Sequence, residues 1–216
     1  MATARETSKQ ARMLKIKRAA ERILERSSIR DVTMEEVAAE AGVGSATLFR
    51  YVGSKDALLL MVYGDRMDLL LAHIEARDLE LTMSTPSEAK DADYYLRRIM
   101  EMYKQRCDFY IKNPENAAIY LRAGFDKDNP SRWRNLAQGD RTIRLCANIL
   151  YEATEHELTV NVPISWEAVA RNCHAIYMHE IDRTPTREVP PESIWGRAKP
   201  RLEAQLLPLF KARRAD

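Results

Sequence analysis

Turn-forming and cross-linking residues are scarce in this chain. Seven glycines and nine prolines in 216 residues leave little material for tight turns. In a Leu-, Ala-, Glu- and Arg-rich background that scarcity favours long helices. The three cysteines, Cys107, Cys146 and Cys173, include no CxxC pair, which excludes a disulfide scaffold or zinc ribbon and suits a reducing cytoplasm. The longest apolar run, residues 57–63, is far below the ~18 residues that span a bilayer. Arg5, Lys9 and Arg12 have no apolar stretch behind them, so a signal peptide is not expected. There is no P-loop, no GxSxG and no glycine-rich phosphate turn, so nothing supports catalysis or a cofactor. His174 and His179 are five apart, and His156 sits between Glu155 and Glu157. Neither has metal-ligand spacing, so no metal is expected. The cysteines read as small buried hydrophobes.

Charge is present but uneven. The net value is only +2, yet residues 1–30 carry nine basic groups against three acidic ones, a local +6. Residues 31–66 sum to −3 and the remainder to −1. A basic arm over residues 1–10 and a basic first helix on a near-neutral body are either the footprint of a polyanion or a solvated helix face.

Helix-start signals recur along the chain. Thr33 with Glu36 forms a capping box. Ser54, Thr85-Pro86, Asn113-Pro114, Asn129-Pro130, Ser165 and Pro190-Pro191 add further cap or N1-proline candidates. No period-two run competes, so the fold class is all-α. Stripes at helical spacing support it. They are Leu96, Ile99, Met100, Tyr103, Cys107 and Tyr110 over 88–112; Leu136, Ile143, Cys146, Ala147, Leu150 and Ala153 over 131–157; Trp166, Val169, Ala170, Cys173, Ile176 and Tyr177 over 165–182; and Leu202, Leu206, Leu209 and Phe210 in the last helix. Pro200 and Pro208 should interrupt that last helix, and residues 183–191 read as a loop.

The chemistry concentrates in residues 11–66. An amphipathic first helix runs to about Ser27-Ser28, a short second helix covers 34–41, Gly42 makes a tight turn, and a third helix runs from about Ser45 to Tyr51. Two short helices joined by a glycine turn make a helix-turn-helix, whose second helix can enter the DNA major groove. Thr33, Val37-Ala38, Gly42-Val43, Thr47-Leu48-Phe49 and Lys55 with Leu58 resemble the DNA-binding domain of tetracycline-repressor (TetR) family regulators. The likeness covers about residues 10–65. It implies that Thr33 and Tyr51 touch phosphates and that Lys55 builds an anion site at a helix start. It also implies that Ser45, Ala46, Thr47 and Arg50 face base edges. Phe49 stands where the family often has tyrosine, so it packs or touches DNA without a hydroxyl. Val52, Gly53 and Ser27-Ser28 also depart from the common pattern.

The resemblance further implies a division into a helix-turn-helix domain, residues 1–53, and an effector-binding and dimerisation domain, residues 54–216. Helices near 165–182 and 192–212 would pair in a homodimer. A single reader helix has a small footprint, so two-fold binding to a palindrome is expected physically as well. The stripes on those helices would face the partner; otherwise they are ordinary core. Tyr103, Cys107, Phe125, Trp133 and Tyr177 are candidates for an apolar effector pocket, or equally for core. The resulting expectation is a cytoplasmic, non-enzymatic repressor that binds double-stranded operator DNA as a homodimer. A small apolar or amphipathic effector would release it. A ligand-independent architectural DNA-binding protein is the alternative.

Overall fold

The computed structural model describes residues 4–211. Among them nine α-helices follow one another: α1 (Ala4–Leu24), α2 (Met34–Ala41), α3 (Ser45–Val52), α4 (Lys55–Ser84), α5 (Ala92–Ile111), α6 (Pro114–Arg122), α7 (Arg132–Glu155), α8 (Trp166–Thr186) and α9 (Ile194–Leu206). The only extended pairing among the described residues is an isolated antiparallel bridge between Thr159 and Phe210. Over the described residues the fold is all-α. No helix of the described residues is long and apolar enough to cross a membrane.

Local sequence explains most helix starts. Thr33, Ser54, Asn113 and Ser165 each accept a backbone N–H three residues on, satisfying donors that a helix start leaves unpaired. Gly42 closes α2 at φ 64°, ψ 39°, a left-handed conformation that costs glycine nothing. Other starts differ from expectation. Residues 85–88 form no α-helix; a 3₁₀ turn over Ser87–Ala89 precedes α5, which Asp91 caps through Tyr94 N–H at 2.8 Å. Asn129 spends its carboxamide oxygen on Ser131 N–H at 2.8 Å, so α7 starts without a side-chain cap. After Pro190, a 3₁₀ turn over Pro191–Ser193 intervenes before α9.

Several boundaries also correct the sequence reading. Residues 4–10, expected as a flexible arm, are the first turns of α1, and residues 1–3 lie outside the described residues. Helix α1 stops at Leu24, short of Ser27-Ser28, because a turn there is held by Asn116 from α6. Helix α8 runs through Pro185 to Thr186 into the expected loop. Pro200 lies inside an unbroken α9. The residue four before it is the exposed Gly196, with open space around it, so the freed carbonyl can be hydrated. Pro208 falls in the closing 3₁₀ turn.

The helices pack in an order that puts α8 at the centre of the larger unit, against α7, α9 and α6, with α5 on α9 and α7 and α4 on α1 and α7. One continuous core results. In the amino-terminal unit Ile16, Ala19, Ala20, Val37, Ala38 and Leu48 are buried, with Leu58, Leu59 and Val62 of α4 closing it. Deeper, Tyr95, Ile99, Tyr103, Cys107, Tyr110, Cys146, Cys173 and Tyr177 are fully enclosed.

Two buried charges meet counter-ions. Arg98 forms ion pairs with Asp78 at 2.8 Å and with Glu152. Glu180, with no exposed surface, meets Arg197 at 2.7 Å and Arg201 at 2.6 Å. A buried ion without a counter-ion costs several kcal/mol, roughly, so such partners are expected.

Candidate nucleic-acid interface and interior cavity

Helix α3 is amphipathic around a single anchor. Leu48 is fully buried, and Tyr51 and Val52 pack half-buried against the core. Ala46, Phe49 and Arg50 lie on the opposite face and are exposed, with Ser45 and Thr47 half-buried at its edges. Phe49 keeps 45% of its surface in solvent, an apolar ring left open among the described residues. Gly44 precedes the helix without any side-chain cap, leaving the first amides of α3 open. The described part of α1 adds Lys9, Arg12, Lys15 and Arg18, all exposed. A groove between the start of α1 and the end of α3 is lined by Lys9, Arg12, Arg50 and Tyr51, together with Glu6, Ser8 and Met13.

Two expected phosphate contacts are otherwise engaged. The Thr33 hydroxyl accepts from Glu36 N–H at 3.1 Å and donates to the Glu36 carboxylate at 3.0 Å. That carboxylate also accepts from Thr33 N–H at 2.7 Å, and these bonds hold it below the usual range. Lys55 does open α4, but its ammonium donates to the Arg30 carbonyl at 3.1 Å. It therefore ties the turn after α1 to α4, and an anion at that helix start would meet the α4 amides first. The Arg30 side chain reaches Glu115 of α6 at 2.6 Å.

The larger unit encloses a cavity of about 210 Å³ bounded by α4, α5, α6, α7, α8 and the segment after α6. Met67, Leu121, Ile143 and Met178 give it apolar walls; Arg106, Tyr110, Tyr120, Gln138 and His174 give it polar ones. Phe125 and Leu136 line it too and are exposed, so they sit where it meets solvent. The His174 imidazole is held down to about 3 by burial and by the charges of Arg106 and Arg171, and is therefore neutral near pH 7. Burial raises the phenols of Tyr110 and Tyr120, so they stay protonated.

Of the five residues picked for a pocket, only Phe125 lines this cavity. Tyr103, Cys107 and Tyr177 are fully buried core that does not border it, and Trp133 is exposed with Arg132 stacked at 4.4 Å from its ring. Arg106, Gln138 and His174, which the sequence does not single out for a pocket, line the cavity. Arg106 was findable, because with Ile99, Tyr103 and Tyr110 it completes an i, i+4, i+7, i+11 face.

Hydrogen bonds and ion pairs tie α7 to α4 and α6 to the turn after α1. Gln138 donates to the Gly64 carbonyl at 3.0 Å and to Asp68 at 2.7 Å, both on α4, and also meets the Tyr120 hydroxyl. Arg134 pairs with Asp65 at 2.6 Å and Asp68 at 2.7 Å. Its guanidinium lies so close over Gly64 that an added Cβ would sit 2.8 Å from it. From α6, Asn116 accepts from Ile29 N–H at 2.8 Å and donates to the Ser27 carbonyl at 3.1 Å.

Residues 16–62 match the family model described as bacterial regulatory proteins, tetR family. Over those residues the chain is similar to the amino-terminal domain of that family. Solved structures extend the likeness of fold beyond that domain. FadR of Thermus thermophilus, a TetR-family repressor in complex with lauroyl-CoA, is 19% identical, with 94% of this chain and 98% of that chain covered at a TM-score of 0.63. A TetR transcription regulator of Haloarcula marismortui is 16% identical, with 94% and 100% covered and a TM-score of 0.65. The fatty acid degradation regulator FadR of Bacillus halodurans is 13% identical, with 90% and 94% covered and a TM-score of 0.63. No curated protein matches the sequence.

Proposed function

We propose that this chain is a TetR-family repressor that binds a palindromic operator as a homodimer and is released by a small effector in the interior cavity. The observation that carries the reading is the face of α3. Ala46, Phe49 and Arg50 are exposed together beside the basic flank of α1, with no partner surface among the described residues. Alanine and phenylalanine suit thymine methyl groups in the major groove, and arginine suits guanine O6 and N7. Lys9, Arg12 and Lys15 supply the phosphate contacts that dominate affinity.

Two-fold pairing fits α8 and α9, but not through the expected stripes. Val169, Cys173, Leu202 and Leu206 are buried in the chain's own core, with Ile176 and Leu209 half-buried. The outward faces instead present Asn172, Ala175 and His179 on α8 and Gly196, Pro200 and Ala204 on α9, with Leu207 just after it. Small residues there let two helix pairs approach closely. Release follows from the wiring: a ligand that moves Tyr120 or Gln138 shifts α6 and α4, and with them the turn that seats the reader. Its effect equals its preference for the displaced state. The proposed setting is the cytoplasm, with no catalytic role.

The test is selection of bound sites from random duplex DNA at two salt concentrations. An enriched palindrome bound more weakly at high salt is the expected result. Salt-dependent binding with no enriched sequence would leave only a nonspecific anchor and overturn the reading.

A further inference from the structure

We propose that the interior cavity takes a small organic carboxylate and that Arg106 is the group that recognises it. This rests on the effector reading above and adds the ligand's charge and class.

Arg106 is 3% exposed, as deeply buried as Arg98, yet the two are treated differently by the fold. Arg98 meets two carboxylates. Arg106 has no carboxylate within ion-pairing distance among the described residues. Its terminal nitrogens donate to the neutral Thr142 and Tyr177 hydroxyls, and the guanidinium lies 4.7 Å from the Tyr177 ring centre. Its Nε has no partner at all. A buried cation is costly unless an anion compensates it, and the guanidinium fork matches a carboxylate in shape. Arg106 lines the cavity, so a ligand there can complete it.

Three further observations set the class. His174 Nδ1 and Asn135 Oδ1, both on the same cavity, are also buried without partners, so more polar capacity waits there than the chain itself uses. The other charged groups facing the cavity are Arg171 and Asp140, which offset each other and leave a net single positive charge from Arg106. One positive charge suits a monoanion better than a phosphate dianion. The volume of about 210 Å³ is below the ~300–1,000 Å³ of drug-sized sites. The apolar walls at Met67, Ile143 and Met178 then fit a short hydrocarbon body.

The experiment uses the full chain and a series of straight-chain carboxylates from butanoate to dodecanoate, each against its neutral alcohol and its alkyl phosphate. Binding is measured by calorimetry. At least one carboxylate should bind about 10- to 100-fold more tightly than the matching alcohol, the range of a charge-assisted hydrogen bond, and more tightly than the phosphate. Arg106→Gln and Arg106→Met should bring carboxylate and alcohol within about twofold. They should also unfold at no lower temperature than the unaltered protein in the absence of ligand, since they remove an uncompensated charge. Equal binding of acids and alcohols, preference for phosphate, no binding by any acid, or retained preference in both variants would each overturn the assignment. Carboxylate binding that leaves the operator complex intact would uphold it and sink effector release. Release by a neutral compound, with no acid bound, would do the reverse.

Discussion

Removing the Asn116 side chain tests whether α6 seats the reader unit. Asn116 is fully buried and serves the turn after α1 at both ends of its carboxamide. In Asn116→Ala the Ile29 amide loses its acceptor inside the protein, and leaving a buried donor unmade costs about 1–3 kcal/mol. The Ser27 carbonyl suffers less, because Asn113 still donates to it at 3.0 Å. The small void adds to the loss, so about 2–3 kcal/mol is expected in total. For a chain of this size that lowers the melting temperature by roughly 5–10 °C. Urea unfolding followed by circular dichroism gives the free energy directly. A loss below about 0.5 kcal/mol in the alanine variant would refute the reasoning, because Ile29 N–H would then have found another partner at no cost.

The other predictions concern base reading, proton linkage and the α4–α7 contact. Arg50→Ala should lose about 1–3 kcal/mol of discrimination at one operator position, read by fluorescence anisotropy on matched and altered duplexes, with the oligomeric state in ultracentrifugation unchanged. The His174 imidazole sits at about 3 in the folded chain against an ordinary 6.5, so between those values the unfolded chain binds the extra proton and stability falls as pH falls. From pH 7 to pH 5 the loss should be about 2 kcal/mol, and His174→Gln should flatten it; an unchanged slope in that variant would assign the pH dependence to other groups. Gly64→Ala should displace the Arg134 guanidinium from its place over α4, weakening its pairs with Asp65 and Asp68. The expected readout is a lower melting temperature, with added salt costing the variant less than the parent.

The reader unit was largely legible because its signals are local. Thr33 and Glu36 sit three apart, Gly42 follows the last turn of α2, and Ser54 precedes α4, so each feature is set by neighbours in sequence. What escaped was decided by distant residues. Helical period shows that Val169, Cys173, Leu202 and Leu206 lie inside, but not whether the cover comes from the same chain or a second one. Arg98 and Arg106 occupy the same buried side of α5, and only the positions of Asp78 and Glu152, on other helices, separate a paired arginine from an unpaired one. Pro200 defeated a rule that is sound on average, because the carbonyl it frees belongs to a solvent-facing glycine.

The place at which α7 grips α4 fixes the gearing of any motion passed between cavity and reader. Gln138 and Arg134 hold α4 at Gly64, Asp65 and Asp68, while Lys55 marks its reader end. At 1.5 Å per residue that arm is only about 14–20 Å long. A tilt of about 5° at the grip then moves the reader end by roughly 1–2 Å, and about 10° gives roughly 3 Å. In the proposed release, a tilt of a few degrees at the grip is thus enough to move the reader end by ångströms, and stiffening the cavity lining should blunt the response even where affinity for the ligand is untouched.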